Sequence, residues 1–258
     1  PVPSITGSTR KDIIIVDKIV GTGEVAMSDH RSSQPSYEEY IKLSAETRLG
    51  GMLSGKAGVI VYHMGDGKRG MKHLFDMVAN SEIPIGQFIP THVNRSESLF
   101  KEAIEWAKMG GYIDITSSIG GSIMPMDGIV DPAKAIRRAL DAGVAPDRIL
   151  MSSDGNGSMP RFDDKGNTIG LTVAPLSSLC VAVREAVMNE GVDYALAVKT
   201  ASTNVAKALK LSNKGELRVG YDADILALDK DMKIKHLWAK GQQMLNDGKL
   251  LFKGTFEL

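Results

Sequence analysis

The chain has 258 residues, of which 43% are hydrophobic and 24% are charged, and its formal net charge at neutral pH is zero. This length allows one large domain or one domain with an appendage, and the balanced charge argues against a protein that binds nucleic acid. Cys180 is the only cysteine, which excludes an intrachain disulfide and a cysteine zinc cluster and fits a reducing cytoplasm. No apolar run reaches the roughly eighteen residues that cross a bilayer, so we expect no membrane contact.

Short apolar runs alternate with amphipathic helical stretches along most of the chain. The predicted strands cover residues 24–28, 58–63, 87–92, 112–118 and 148–153. The predicted helices cover residues 11–20, 37–53, 68–79, 96–108, 132–142, 175–190 and 194–209. Strands that alternate with helices in this way form parallel βαβ units, so the pattern predicts a helix-covered parallel sheet or barrel.

The pattern changes near residue 214, after which short strands follow one another without helices. The predicted strands cover residues 223–228, 234–239, 243–245 and 250–252. They are too few and too short for an independent core, so we expect them to pair with chain from elsewhere. The sequence therefore predicts a parallel α/β part, sheet or barrel, over residues 1–213 and a small β appendage over residues 214–258.

Polar side chains follow several predicted strands at the point where each strand ends. His63 ends one strand, His92 ends the next, and Asp154 and Arg31 come shortly after two others. A single histidine in such a place is more often structural, and Asp154, which begins the sequence DGNG, is also typical of a surface turn. In a parallel barrel, however, the carboxyl ends of the strands form the functional face. Two imidazoles and a carboxylate at that face are ligands that suit zinc.

Several short motifs occur in the order seen in one known family. They are HMGD (63–66), THVNR (91–95), SSDGNGS (152–158), SDHRS (28–32), DITSSI (114–119) and the C-terminal segment that ends in KGTFE (253–257). Together they resemble the metal-dependent amidohydrolases, and within them the isoaspartyl (β-aspartyl) dipeptidase family. The resemblance extends from one end of the chain to the other. It implies a TIM-like (β/α)₈ barrel, with about strands four to eight in this chain, and a small β-sandwich-like domain.

The same resemblance implies a site with two zinc ions, at which a metal-bound hydroxide hydrolyses the β-aspartyl peptide bond of a dipeptide. His63 and His92 resemble the ligands of one metal, and Asp154 resembles the aspartate that binds the other metal and transfers the proton. The substrate carboxylates are implied to contact Arg31, Arg95 and Ser158. The alternative for the two arginines is an ordinary solvated or salt-bridged position on the surface.

The sequence departs from the family at two points. The family bridges its metals with a carboxylated lysine five residues before the aspartate of the DHR motif, and Glu24 occupies that position here. The alternative is that Glu24 faces solvent. The family's His-X-His motif does not occur among the five histidines. The chain by itself is therefore expected to hold at best one metal, through Glu24, His63 and His92, and an upstream segment or separate chain is expected to complete the eight-stranded barrel.

Two other functions stay open at this point. One is a cyclic-amide hydrolase of the dihydroorotase or hydantoinase kind, although THVNR and SSDGNGS favour the dipeptidase. The other is a non-catalytic, truncated homologue that assembles with an intact relative. The family resemblance also implies a homo-oligomer.

Overall fold

The computed structural model describes residues 4–162 and 167–254. The chain divides into two compact units, one that ends at Lys210 and one that begins at Leu211. The predicted domain boundary after residue 213 stays a prediction. The last residues of the C-terminal motif, 255–257, lie outside the described part. No helix in the described ranges is both long enough and apolar enough to span a membrane.

The first unit alternates strands and helices, as the sequence predicted. Its strands are β1 (Gly21–Met27), β2 (Val59–Met64), β3 (Phe88–Thr91), β4 (Ile113–Thr116), β5 (Ile149–Ser152), β6 (Ser158–Phe162) and β7 (Thr168–Val173). Its α-helices are α1 (Thr9–Ile15), α2 (Tyr37–Ser54), α3 (Lys72–Ala79), α4 (Glu97–Lys108), α5 (Pro132–Asp141), α6 (Ser178–Met188), α7 (Tyr194–Thr200) and α8 (Thr203–Ala208). Single 3₁₀ turns at Ile85–Gln87 and Pro146–Arg148 lead into β3 and β5.

In the described residues, β1 to β5 form one parallel sheet in the order of the sequence. Successive parallel neighbours joined by helices are an arc of a (β/α)₈ barrel, so the predicted fold class is confirmed. The outer face of the arc packs against helices through buried aromatic side chains, including Tyr62, Phe88 and Trp106. The inner face lines a cavity of about 470 Å³, with apolar walls that include Val61 and Leu150.

A bulge in β1 sets the direction of Glu24. The register of β1 against β2 shifts between Thr22 and Val25. In a regular strand, Thr22 and Glu24 would point to the same face. Here the hydroxyl of Thr22 contacts Thr47 of the outer helix α2 at 2.8 Å, whereas the carboxylate of Glu24 contacts His63. The bulge therefore turns Glu24 toward the inner face of the arc.

Local sequence signals fix the ends of several helices. Ser36 and Glu39 form a reciprocal capping box at the start of α2, and Gly55 ends that helix with a φ of +72°. Asp131 accepts hydrogen bonds from the first turn of α5, in which Pro132 occupies the first position.

The largest differences from the prediction concern two helices and one hairpin. The first helix begins at Thr9, because the Ser8 hydroxyl caps it by accepting a hydrogen bond from the Lys11 amide, and it ends at Ile15. The predicted helix 194–209 is two helices, since the Ser202 backbone leaves the helical region between α7 and α8. The hairpin β6–β7 lies in a stretch for which no strand was predicted.

The second unit contains an antiparallel sheet in the order β11–β10–β9–β8. Its strands are β8 (Ile225–Leu228), β9 (Ile234–Ala239), β10 (Gln242–Asn246) and β11 (Lys249–Leu250). In the described part of the chain, these strands pair with one another rather than with strands from elsewhere. The predicted sandwich partner of this sheet stays a prediction.

Candidate metal centre

Three side chains from three neighbouring strands meet at the carboxyl end of the arc. Each of Glu24, His63 and His92 offers one ligand atom, and these atoms lie within 4.8 Å of one another. Oε2 of Glu24 lies 3.0 Å from Nδ1 of His63 and 3.4 Å from Nε2 of His92. The two imidazole rings meet edge to face, with their centroids 4.5 Å apart.

The sheet brings these residues together for simple reasons of register. His63 on β2 lies between Ala26 of β1 and Thr91 of β3. His92 follows Thr91 directly and has a φ of +61°, which a non-glycine residue adopts rarely. This backbone conformation turns the imidazole back toward Glu24 instead of continuing the strand. Its ring is almost fully buried, with 1% of its surface exposed.

The electrostatics of the cluster keep the carboxylate charged. Hydrogen bonds from His63 and then His92 hold the pKa of Glu24 far below its usual value and outweigh the effect of burial. One anionic oxygen and two imidazole nitrogens are a donor set that zinc accepts, with room for further ligands. The residues present therefore fit a divalent metal such as zinc.

Asp29 and Arg31 lie beside this cluster as a tight ion pair. The Arg31 guanidinium donates to both carboxylate oxygens of Asp29, at 3.0 Å from Nε and 2.7 Å from Nη2. This fork lowers the pKa of Asp29 well below its usual range and raises the pKa of Arg31. Asp29 is buried, and its Oδ2 lies 3.2 Å from Nε2 of His63. Sequence reasoning did not assign Asp29 a role, although its spacing of two residues from Arg31 was a usable signal.

Arg95 contacts the same nitrogen of the His63 imidazole as Asp29 does. Its Nη1 lies 3.2 Å from Nε2 of His63 and 3.8 Å from the nearer Asp29 oxygen. Burial, followed by the charge of Arg31, lowers the pKa of Arg95. Arginine remains protonated even so. Two guanidinium groups thus converge on one edge of the cluster, where they favour an anionic ligand.

The structure places Asp154 in a tight turn after β5 and outside the group of three ligand atoms. The turn uses positive φ angles at Asp154 (+49°) and Asn156 (+64°). A Cβ at Gly157 would come within 2.8 Å of the Asp154 carbonyl oxygen, so this turn requires glycine. The charge of Asp154 reaches Arg95, whose pKa it raises slightly. Its role as a metal ligand stays a prediction, as does substrate contact by Ser158, which is exposed at the start of β6.

A second acidic residue on the inner face was also not predicted. Asp114 of β4 is buried, and its Oδ2 accepts hydrogen bonds from the hydroxyls of Thr91 and Ser152, both at 2.6 Å. Burial raises the pKa of Asp114 and outweighs both hydrogen bonds. This carboxyl group of β4 therefore links β3 and β5 through hydrogen bonds near the three candidate ligands.

A parallel barrel arc with histidine and carboxylate side chains that could hold a metal at its strand ends is typical of metal-dependent α/β-barrel proteins. The amidohydrolase family model matches residues 61–244 of this chain. The chain belongs to the amidohydrolase family.

Solved structures agree with this assignment. A β-aspartyl dipeptidase of Fervidobacterium islandicum AW-1, in complex with β-Asp-Leu, is 40% identical with a TM-score of 0.87 over 98% of this chain. Another structure of that bacterium's β-aspartyl dipeptidase is 36% identical with a TM-score of 0.84. The chain spans 65% and 63% of the lengths of these two proteins. An amidohydrolase of Thermotoga maritima shares the fold at 15% identity, with a TM-score of 0.52 over 81% of this chain and 53% of its own.

Proposed function

We propose that the protein is a zinc-dependent amidohydrolase that cleaves the β-aspartyl peptide bond of dipeptides. The observation that carries the proposal is the convergence of Glu24, His63 and His92 at the functional end of a barrel arc. The similarity to a β-aspartyl dipeptidase that binds β-Asp-Leu supports the choice of substrate.

In this proposal, Glu24 Oε2, His63 Nδ1 and His92 Nε2 hold one zinc ion, and Asp154 contributes to a second. Zinc, when bound, polarises the scissile carbonyl group and makes water an effective nucleophile at neutral pH. Asp154 accepts the proton that the attacking water loses and passes it to the leaving amine. Asp154 is suited to this exchange because it is a carboxylate that lies just beyond the end of β5, near the charge of Arg95.

Arg95 and Arg31 would bind the carboxylates of the substrate. Arg95 is the stronger candidate, because it is largely buried and the nearer Asp29 oxygen is 3.8 Å from its Nη1. Arg31 is held by Asp29, so it contributes positive charge to the site but has fewer hydrogen-bond donors left for a ligand. Ser158 would donate a hydrogen bond from the adjoining hairpin.

The arc has two open edges among the described strands, at β1 and β5, and its inner cavity is lined by apolar side chains. We infer that an upstream segment or a separate chain completes the barrel and supplies the remaining ligands of the second metal. A homo-oligomeric state and a cytoplasmic location are further proposals of this account.

The experiment is to purify the protein, determine its zinc content, and compare its activity on β-Asp-Leu and on dihydroorotate. We expect the protein to contain zinc and to cleave β-Asp-Leu but not dihydroorotate. Cleavage of dihydroorotate instead would favour a cyclic-amide hydrolase. If the protein contained no zinc and cleaved neither substrate, a non-catalytic homologue would be favoured.

A further inference from the structure

His92 has a second ring nitrogen that faces away from Glu24. This Nδ1 lies 2.7 Å from the Thr116 hydroxyl of β4, and both residues are almost entirely buried. A contact this short, away from bulk water, fixes the orientation of the ring. The nitrogen that points to the cluster, Nε2, is therefore positioned from behind.

Thr116 is itself held by the side chain of Asn94, which has no exposed surface. Asn94 Oδ1 accepts a hydrogen bond from the Thr116 amide at 2.9 Å, and Asn94 Nδ2 donates to the Thr116 carbonyl at 3.1 Å. The same Nδ2 donates to the carbonyl of Val130 at 3.1 Å. Thr91 and Asp114 are the paired residues of β3 and β4, and the Val93 amide still donates to the Asp114 carbonyl beyond the end of β3. The Asn94 side chain then continues the link to β4 at Thr116.

A hydroxyl is suited to this position because it both donates and accepts hydrogen bonds. A neutral imidazole has one donor nitrogen and one acceptor nitrogen. When Nε2 donates to Glu24, the Thr116 hydroxyl can donate to Nδ1. When Nε2 offers its lone pair to a cation, Nδ1 carries the proton and donates a hydrogen bond to the hydroxyl oxygen. The ring therefore keeps one orientation in both states.

We propose that Thr116, held by Asn94, is a positioning residue that presents Nε2 of His92 to the metal. This inference rests on the proposed metal centre. Second partners of this kind set the tautomer and direction of a ligating histidine.

The test compares the parent protein with Thr116→Val, which keeps the shape but removes the hydroxyl, and with Thr116→Ser, which keeps the hydroxyl. The zinc dissociation constant is measured by competition with a chromophoric chelator, and folding is checked by thermal unfolding. Thr116→Val is expected to bind zinc about 10- to 100-fold more weakly, as is usual for loss of such a partner. Thr116→Ser is expected to stay near the parent. Equal affinity in the parent and Thr116→Val would overturn the inference.

Nitrogen-15 NMR of the histidine rings separates this inference from the proposed function. In the zinc-loaded parent, His92 should carry its proton on Nδ1, and a proton on Nε2 would contradict the inference. In the metal-free protein, Thr116→Val should change the His92 ring signals, and unchanged signals would again contradict it. Failure of the parent to bind zinc would refute the proposed metal centre, while the metal-free comparison still decides the role of Thr116.

Discussion

Replacing Asn94 with alanine should destabilise the first unit strongly. The substitution removes three hydrogen bonds and leaves three buried backbone groups without them: the amide and carbonyl of Thr116 and the carbonyl of Val130. An unsatisfied buried group costs about 1–3 kcal/mol. Because water can enter the space that the side chain leaves, we take the lower end of the range, about 1 kcal/mol for each of the three groups. The free energy of unfolding is therefore expected to fall by about 3 kcal/mol. This is a large part of the 5–15 kcal/mol that typically stabilises a domain.

The assay is urea unfolding of the parent and Asn94→Ala, followed by circular dichroism. Asn80→Ala is the matched control, because the exposed side chain of Asn80 makes a single hydrogen bond, to the Asp76 carbonyl at 2.9 Å. The control should change the free energy of unfolding by no more than about 0.5 kcal/mol. A loss below about 1 kcal/mol in Asn94→Ala would refute the reasoning, because that is the least that one unsatisfied group should cost.

Three further predictions concern activity and acid stability. Asp154→Asn should keep the circular dichroism spectrum and abolish cleavage of β-Asp-Leu; near-parent turnover would show that Asp154 moves no proton. Arg95→Lys should raise KM for β-Asp-Leu more than it lowers kcat, because lysine lacks the guanidinium fork; an unchanged KM in steady-state kinetics would argue against carboxylate binding. The Thr6 hydroxyl and other donors lower the pKa of Asp12 to about 2, so this carboxylate stabilises the fold above its unfolded pKa of about 3.9 and loses that effect as pH falls toward 2. The urea midpoint of Asp12→Asn should therefore decrease less between about pH 4 and pH 2 than the midpoint of the parent does. A decrease as steep as that of the parent would contradict this assignment.

Much of the candidate site was predictable because strand order alone determines which residues share an end of a parallel sheet. His63 and His92 end neighbouring strands in the sequence, and the structure places their rings in contact. Glu24 was identified through the family resemblance, because it stands five residues before Asp29, where the family has its bridging lysine. The side chain of Glu24 points to the inner face because of the bulge in β1, and no local pattern in the sequence predicts that bulge.

The partners behind the ligands were not predictable in the same way. Thr116 and Asn94 come together only because β3 and β4 are neighbours and β3 ends early. Asp114 looks like an ordinary polar residue in the sequence, because its partners Thr91 and Ser152 lie on two other strands. The strand β7 was missed although Ile169, Leu171 and Val173 alternate with smaller residues, because the glycines and proline of this stretch are typical of a loop.

The most direct test of the proposed metal centre is an anomalous-difference map at the zinc edge from crystals of the zinc-loaded protein. We expect a peak about 2.0–2.2 Å from Glu24 Oε2, His63 Nδ1 and His92 Nε2, which is the usual range for zinc with oxygen and nitrogen ligands. Zinc bound elsewhere, with these three atoms still in contact with one another, would contradict this expectation.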